Sequence, residues 1–220
     1  MMRVKTAFTL AEVLVTLMII GVIAAMTIPG LRKNADMQEY VAGCKKAYST
    51  ISGAMRAAEM QHGDFKRWAF KDGDNASIQK AFDYIAKEQM SLLRQCGIDK
   101  DGCWKQTRNL GSGNFAFTSK TYGLGINTIS FTTADGMNWN IDGLSGTDHG
   151  VDTGATIGFF VDINGDKKPN MLGYDVFTFI YDPERGIVPA GSDNQSKECS
   201  SAGSGVDCAA KVIKEGKITY

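Results

Sequence analysis

FTLAEVLVTLMIIGVIAAMTIPGL, residues 8–31, decides how the rest of the chain is read, because its twenty-four positions carry a single ionisable side chain, Glu12. At about 1.5 Å of rise per residue the run makes about 36 Å of helix, enough to cross a hydrocarbon core of about 30 Å. Arg3 and Lys5 precede it with no acid among them. The positive-inside rule therefore keeps residues 1–7 in the cytoplasm as a leader, makes 8–31 a transmembrane segment and sends 32–220 outward as an exported head. The 220-residue chain as a whole has the composition of a folded body, with 43% hydrophobic residues and 24 Lys plus Arg against 24 Asp plus Glu, so 24 − 24 = 0. That balance excludes a disordered polyelectrolyte, and with no charge excess to grip phosphate a nucleic acid is not expected as a partner.

Three readings of the apolar run stand side by side. A cleaved secretory signal needs a short apolar region closed by a small-x-small site, for which Ala24-Ala25-Met26 is a poor match. A plain signal anchor gives no reason for Glu12, since a charged side chain in mid-bilayer costs on the order of 3 kcal/mol and calls for a partner. The third reading starts from Ala7-Phe8-Thr9-Leu10-Ala11-Glu12 behind a short basic leader. These residues resemble the class III signal of type IV pilins and of the pseudopilins of type II secretion systems.

The resemblance implies that a prepilin peptidase cuts between Ala7 and Phe8 and methylates the new Phe8 amine. The distances from that cut to Glu12 and to Pro29 are those at which the family carries Glu and Pro. One departure is Ala7, where the family usually has Gly. The implied function is that of a structural subunit of a pilus or secretion pseudopilus, polymerised through its N-terminal helix. Its partners would be homologous subunits, the prepilin peptidase, an inner-membrane assembly platform and the lipid bilayer. The precursor would sit in the inner membrane with its head outside the cytoplasm, and the mature protein in a filament, at the cell surface in the case of a pilus. In such a filament Glu12 would neutralise the Phe8 amine of a neighbouring subunit, a burial tolerable only as a pair. The alternative partner for Glu12 is its own helix N-terminus, at Phe8. The rival function is a signal-anchored periplasmic protein whose head binds a ligand, calcium among them, and which never polymerises.

Beyond the membrane run, Pro29-Gly30 is expected to bend or partly melt the helix. Tyr40, Cys44, Ala47, Ile51, Ala54, Met55 and Ala58 then recur at steps of three or four, an amphipathic helix ending near His62-Gly63. A second helix is expected from Ala76 to Arg94, capped by Ser77 or Asn75, with Ile78, Phe82, Ile85 and Leu92 or Leu93 as its buried stripe. Strand-like runs follow at Phe115–Thr118, Ile126–Thr132, Met137–Ile141, Thr156–Asp162 and Val176–Tyr181, with Asp135-Gly136 and Asn164-Gly165 as hairpin turns. Asp142–Gly154, rich in Gly, Ser and Asp, reads as an exposed loop. The expected fold class is α+β, a long N-terminal helix packed on an antiparallel sheet, which agrees with the pilin resemblance.

An exported head permits disulfides, and Cys96 with Cys103 and Cys199 with Cys208 are each close enough to close a small loop. The second pair also resembles the disulfide-bounded C-terminal region of many pilins. Cys44 is left as a small buried hydrophobe. In Val161–Asn170 the oxygen side chains Asp162, Asn164 and Asp166 alternate, with Asn170 and Asp175 further on, like the first half of a calcium loop. Lys167 and Gly173 stand where an EF-hand needs Gly and Glu, so the choice lies between another kind of calcium site and a turn whose Asp and Asn bond their own backbone. Asp162 to Phe177 and Cys208 to Ile213 also look like segments of pilin-type heads. Catalysis is not expected: Ser145 is not in G-x-S-x-G, Gly123-Leu124-Gly125 is not a phosphate loop, and His149 sits among Asp148 and Asp152 in a loop.

Overall fold

The computed structural model describes residues 9–114, 127–148, 151–192 and 198–220. Ala7, Phe8, Ile126, the expected strand Phe115–Thr118, Gly123-Leu124-Gly125 and His149 lie outside them. The chain divides into two compact units, Met1–Glu39 and Tyr40–Tyr220.

Helix α1, Leu10–His62, is 53 residues long and contains Pro29. The expectation that Pro29-Gly30 would partly melt it is corrected, since every residue around Pro29 keeps its helical state. Proline removes one backbone donor, and one missing bond leaves the flanking turns to hold the segment.

Within the second unit the apolar stripe of α1 is the expected one from Cys44 onward, with Cys44, Ala47, Ile51, Ala54, Met55 and Ala58 all buried, while Tyr40 is half-buried. Its small residues allow close approach. Gly43 belongs to the same close approach, since a Cβ there would come within 2.6 Å of Ile163 Cδ1 and push that side chain aside. The stripe packs on one sheet of six antiparallel strands in sequential order: β1 (Leu92–Ile98), β2 (Ile129–Thr133), β3 (Asn138–Asp148), β4 (Val151–Asp162), β5 (Val176–Asp182) and β6 (Gly186–Pro189). The fold class is thus α+β, a long helix on an antiparallel sheet.

Side chains alternate between sheet faces. On the face toward α1, Phe131, Trp139, Ile141, Phe159, Phe177 and Phe179 join the main core, where Tyr48 stacks on Phe179 at 5.8 Å. On the opposite face Phe160 and Val176 pack with Trp104, Leu172 and Val206, and Ile180 packs with Leu144 and Val188. Burial on both faces explains why every residue of β5 is buried.

Three further expectations are corrected. The second helix, α2, covers Asn75–Phe82 and continues as one π-helical turn, Asp83–Lys87, so it ends before Leu92. Leu92 and Leu93 lie in β1, where Gln95 pairs with Phe131, and Leu93 is 70% exposed. Pairing along a sheet edge overrides the local helical pattern here. Residues 142–148 and 151–154 are no loop but strand, with β3 and β4 paired from Asn138↔Asp162 to Asp148↔Val151. Within them Gly143 serves packing: a Cβ there would come within 2.6 Å of Asp72 Oδ1. Asp135-Gly136 does turn β2 into β3, whereas Asn164-Gly165 opens a longer connection that reaches β5 only at Val176.

The C-terminal helix α3, Cys208–Glu215, places Ala209 and Val212 in the main core. Disulfides join Cys96 to Cys103 and Cys199 to Cys208. Cys44 is free and fully buried, and burial pushes its thiol far above the ordinary thiol range.

Candidate functional site

Two sites emerge from the sequence, the start of α1 and the connection between β4 and β5. At the first, Thr9 and Glu12 form a reciprocal pair. The Thr9 backbone N–H and hydroxyl both donate to Glu12 Oε2 at 2.8 Å, and the Glu12 N–H donates to Thr9 Oγ1 at 3.3 Å. This is a capping box. The internal partner of Glu12 is therefore Thr9, three residues back, and Phe8 lies outside the described residues. The signal was readable, since Thr9-Leu10-Ala11-Glu12 is S/T-x-x-E in front of an apolar run.

From Leu10 to Leu31 the large apolar side chains are exposed, Leu10 and Met26 by 78% each. Even the hydroxyls within this stretch are satisfied locally, Thr16 Oγ1 donating to Val13 O and Thr27 Oγ1 to Ile23 O, both at 2.9 Å. Among the described residues α1 is the one helix long and apolar enough to cross a membrane. A hydrocarbon surround offers no hydrogen bonds, and these local bonds leave each of these polar side chains a partner without water.

At the second site, Asp162 ends β4 and Asp175 precedes β5, 2% and 0% exposed. Asp175 accepts from three N–H groups: Met171 at 2.7 Å, Asn170 at 2.8 Å and the Asn164 side chain at 3.1 Å. Asp162 accepts from the Asn164 backbone at 3.3 Å. The Asn170 side-chain amide faces only acceptors through its oxygen position, and with oxygen and nitrogen exchanged it donates to Asp162 Oδ2 at 3.1 Å and to Lys167 O at 2.6 Å. Asp166 points elsewhere, accepting from Asn138 Nδ2 at 3.0 Å with Lys105 Nζ at 3.8 Å.

Burial, and then the negative charge of Asp175, push the Asp162 carboxyl up to about 9. Burial also raises Asp175, against the opposing pull of its backbone and Asn164 donors. The N–H donors around Asp175 favour its charged form, whereas burial and the neighbouring charge favour the protonated form of Asp162.

Asp162, Asn164, Asp166 and Asp175 do not fit a calcium cage. Calcium takes six to eight oxygens, but Asp166 Oδ1 is taken by Asn138 and the Asp175 oxygens already hold three donors. Among the described residues no group of three or more acidic, His or Cys side chains converges on a point that one ion could occupy. Asn170, with φ of +51°, emerges instead as the residue that ties the two acids together. The connection as folded is a hydrogen-bonded turn built on two buried carboxyls. Comparison of the chain with protein-family models, with curated proteins and with solved structures finds no match.

Proposed function

We propose that this chain is a structural subunit anchored and assembled through α1, of the type IV pilin or type II secretion pseudopilin kind, and that it works by polymerisation rather than catalysis. The observation that carries this reading is the N-terminal helix, whose exposed apolar surface is interrupted by one carboxylate that its own cap already satisfies. Such a surface is stable only against lipid or against other apolar helices. The α+β head with a long helix on an antiparallel sheet agrees with the reading, as do the two disulfides of an exported body.

On this proposal a prepilin peptidase removes residues 1–7 on the cytoplasmic side and methylates Phe8, and an inner-membrane platform draws the helix from the bilayer into a filament. The capping box then has a defined part. It holds the Glu12 carboxylate while the subunit is alone in lipid, and the carboxylate turns to the Phe8 amine of a neighbour on assembly. Mass spectrometry of protein from native membranes tests it. A mature chain starting at N-methylated Phe8 is the expected result, and an intact Met1 leader would replace this reading with that of a permanent signal anchor.

A further inference from the structure

Where α1 enters the Tyr40–Tyr220 unit, three separate segments meet its first turns. Ile163, just after β4, lies against Gly43, and Gly216, which closes α3, lies against Lys45, its Cβ position 3.6 Å from Lys45 Nζ. Asp135, in the turn between β2 and β3, takes Lys46 Nζ at 2.8 Å. A Cβ on Gly165 would come within 2.6 Å of Gly136 O, so the β4–β5 connection also packs on that turn. These segments form one end of the unit and bring their charges together. Lys45, Lys167, Lys168, Lys214 and Lys217 are exposed there, and none is held in an ion pair by a described residue. The acids of the same segments are fewer and mostly occupied. Asp135 holds Lys46, Asp166 holds Lys105 at 3.8 Å, and Asp162 and Asp175 are buried. Glu215, accepting from the Thr219 hydroxyl at 3.4 Å, is the one exposed acidic side chain left. Five free lysines against one acid is a local excess in a chain with 24 basic and 24 acidic residues. The dipole of α3 accounts for a lysine in its last turn, but not for Lys167 and Lys168 on a connection between strands.

We propose that this lysine-rich end of the unit binds the anionic headgroups of the bilayer that α1 enters, an inference that rests on the membrane reading of α1 but not on the filament. Chain length puts the surface within reach. The helix is continuous from Leu31 to Tyr40, and 40 − 31 = 9 residues make about 14 Å of it. The headgroup layer takes up about 5–7 Å of that distance, and the remainder is within one screening length of about 8–10 Å. The connecting residues add no net charge, Arg32 and Lys33 standing against Asp36 and Glu39. The attraction therefore comes from the folded end itself, and it holds the unit down on lipid until the subunit leaves the bilayer.

The test places the full chain, one copy per disc, in lipid nanodiscs doped with a headgroup-spin-labelled lipid and made of phosphatidylcholine alone or with an equal part of phosphatidylglycerol. It follows the broadening of the Gly136, Gly165 and Gly216 amide resonances. All three are expected to broaden well beyond their phosphatidylcholine level when phosphatidylglycerol is present, and to recover at about 0.5 M sodium chloride, where the screening length is about 4 Å. Lys168→Gln alone is expected to weaken the contact about fivefold, the factor that corresponds to about 1 kcal/mol per lysine at an anionic surface. Lys167→Gln, Lys168→Gln and Lys214→Gln together are expected to abolish it, while Lys66→Gln with Lys71→Gln, beyond the other end of α1, leaves it unchanged. Flotation of the parent chain with phosphatidylcholine vesicles in high salt reports the anchor separately, and a chain that fails to float ends the membrane reading and this proposal together. With the anchor intact, the proposal is overturned if both lipids broaden the resonances equally, if the triple variant behaves as the parent, or if the Lys66 and Lys71 variant loses the contact too. It is also overturned if the resonances shift only when a phosphatidylcholine disc holds two copies, which would assign the lysines to the acids of a second chain.

Discussion

Glu12 shows how a single side chain carries two competing demands. In the lone chain its carboxylate is bonded twice by Thr9, which closes the first turn of α1. In the proposed filament it serves the Phe8 amine of another subunit. Thr9→Ala removes the cap alone, whereas Glu12→Ala removes both roles. The expected outcome is normal membrane insertion of both variants with a much larger loss of filament yield for Glu12→Ala, measured in sheared fibres. Equal yields for Glu12→Ala and the parent chain would end the register role. Asp162 makes a different demand, because its carboxyl titrates near 9 in the folded chain against about 4 when unfolded. The folded state binds the extra proton between those values, so its contribution to stability is complete below about pH 4 and declines as pH rises to 9. The slope is at most about 1.4 kcal/mol per pH unit. Thermal unfolding from pH 5 to 9 is expected to show this decline, and Asp162→Asn to flatten it. Chelator is expected to leave both curves unmoved; a chelator-dependent melting temperature would reinstate the metal reading.

At the scale of the element, α1 uses one helical geometry for two kinds of surface, one buried and one exposed. Its second half buries a stripe of Cys44, Ala47, Ile51, Ala54 and Met55 under the sheet, while its first half exposes large apolar residues on all sides. Ile51 is fully buried and Ile20 is 62% exposed. Ile51→Ala is therefore expected to destabilise the Tyr40–Tyr220 unit by about 2–5 kcal/mol, a loss of transfer energy plus a cavity. Ile20→Ala should leave the unfolding of that unit unchanged when the chain is held in detergent. Denaturant titration of the two variants decides it, and equal losses would mean that the first half of α1 contributes to the stability of the Tyr40–Tyr220 unit. The strands tell the opposite lesson about locality. Leu92 and Leu93 continue the helical spacing of Ile78, Phe82 and Ile85, yet they belong to an edge strand, because the ladder to β2 supplies what the last helical turns would have given.

Across the whole molecule, what could be read from the chain alone was whatever depends on near neighbours in sequence. The apolar run, the stripe of α1, the Asp135-Gly136 turn and the two short cysteine spacings are of that kind, because a helix face repeats within four residues and a small loop closes on itself. Asp142–Gly154 misled, since Gly, Ser and Asp suit a solvated loop and a thin two-stranded hairpin equally well, and only pairing with β4 separates them. The acidic connection was legible only in part: Asp162, Asn164 and Asp166 alternate along the chain, but folding turns Asp166 toward Asn138 and brings Asn170 and Asp175 to Asp162. By itself the sequence determined that this protein has an apolar helix able to cross a bilayer and an α+β body, because hydrophobic periodicity and length are local quantities. Only the tertiary structure decided where the second helix stops, that the two buried acids share a hydrogen-bonded turn, and that lysines of α1, α3 and the β4–β5 connection gather at one end of the Tyr40–Tyr220 unit. Those outcomes rest on contacts between residues far apart in the chain, whose directions no local pattern encodes.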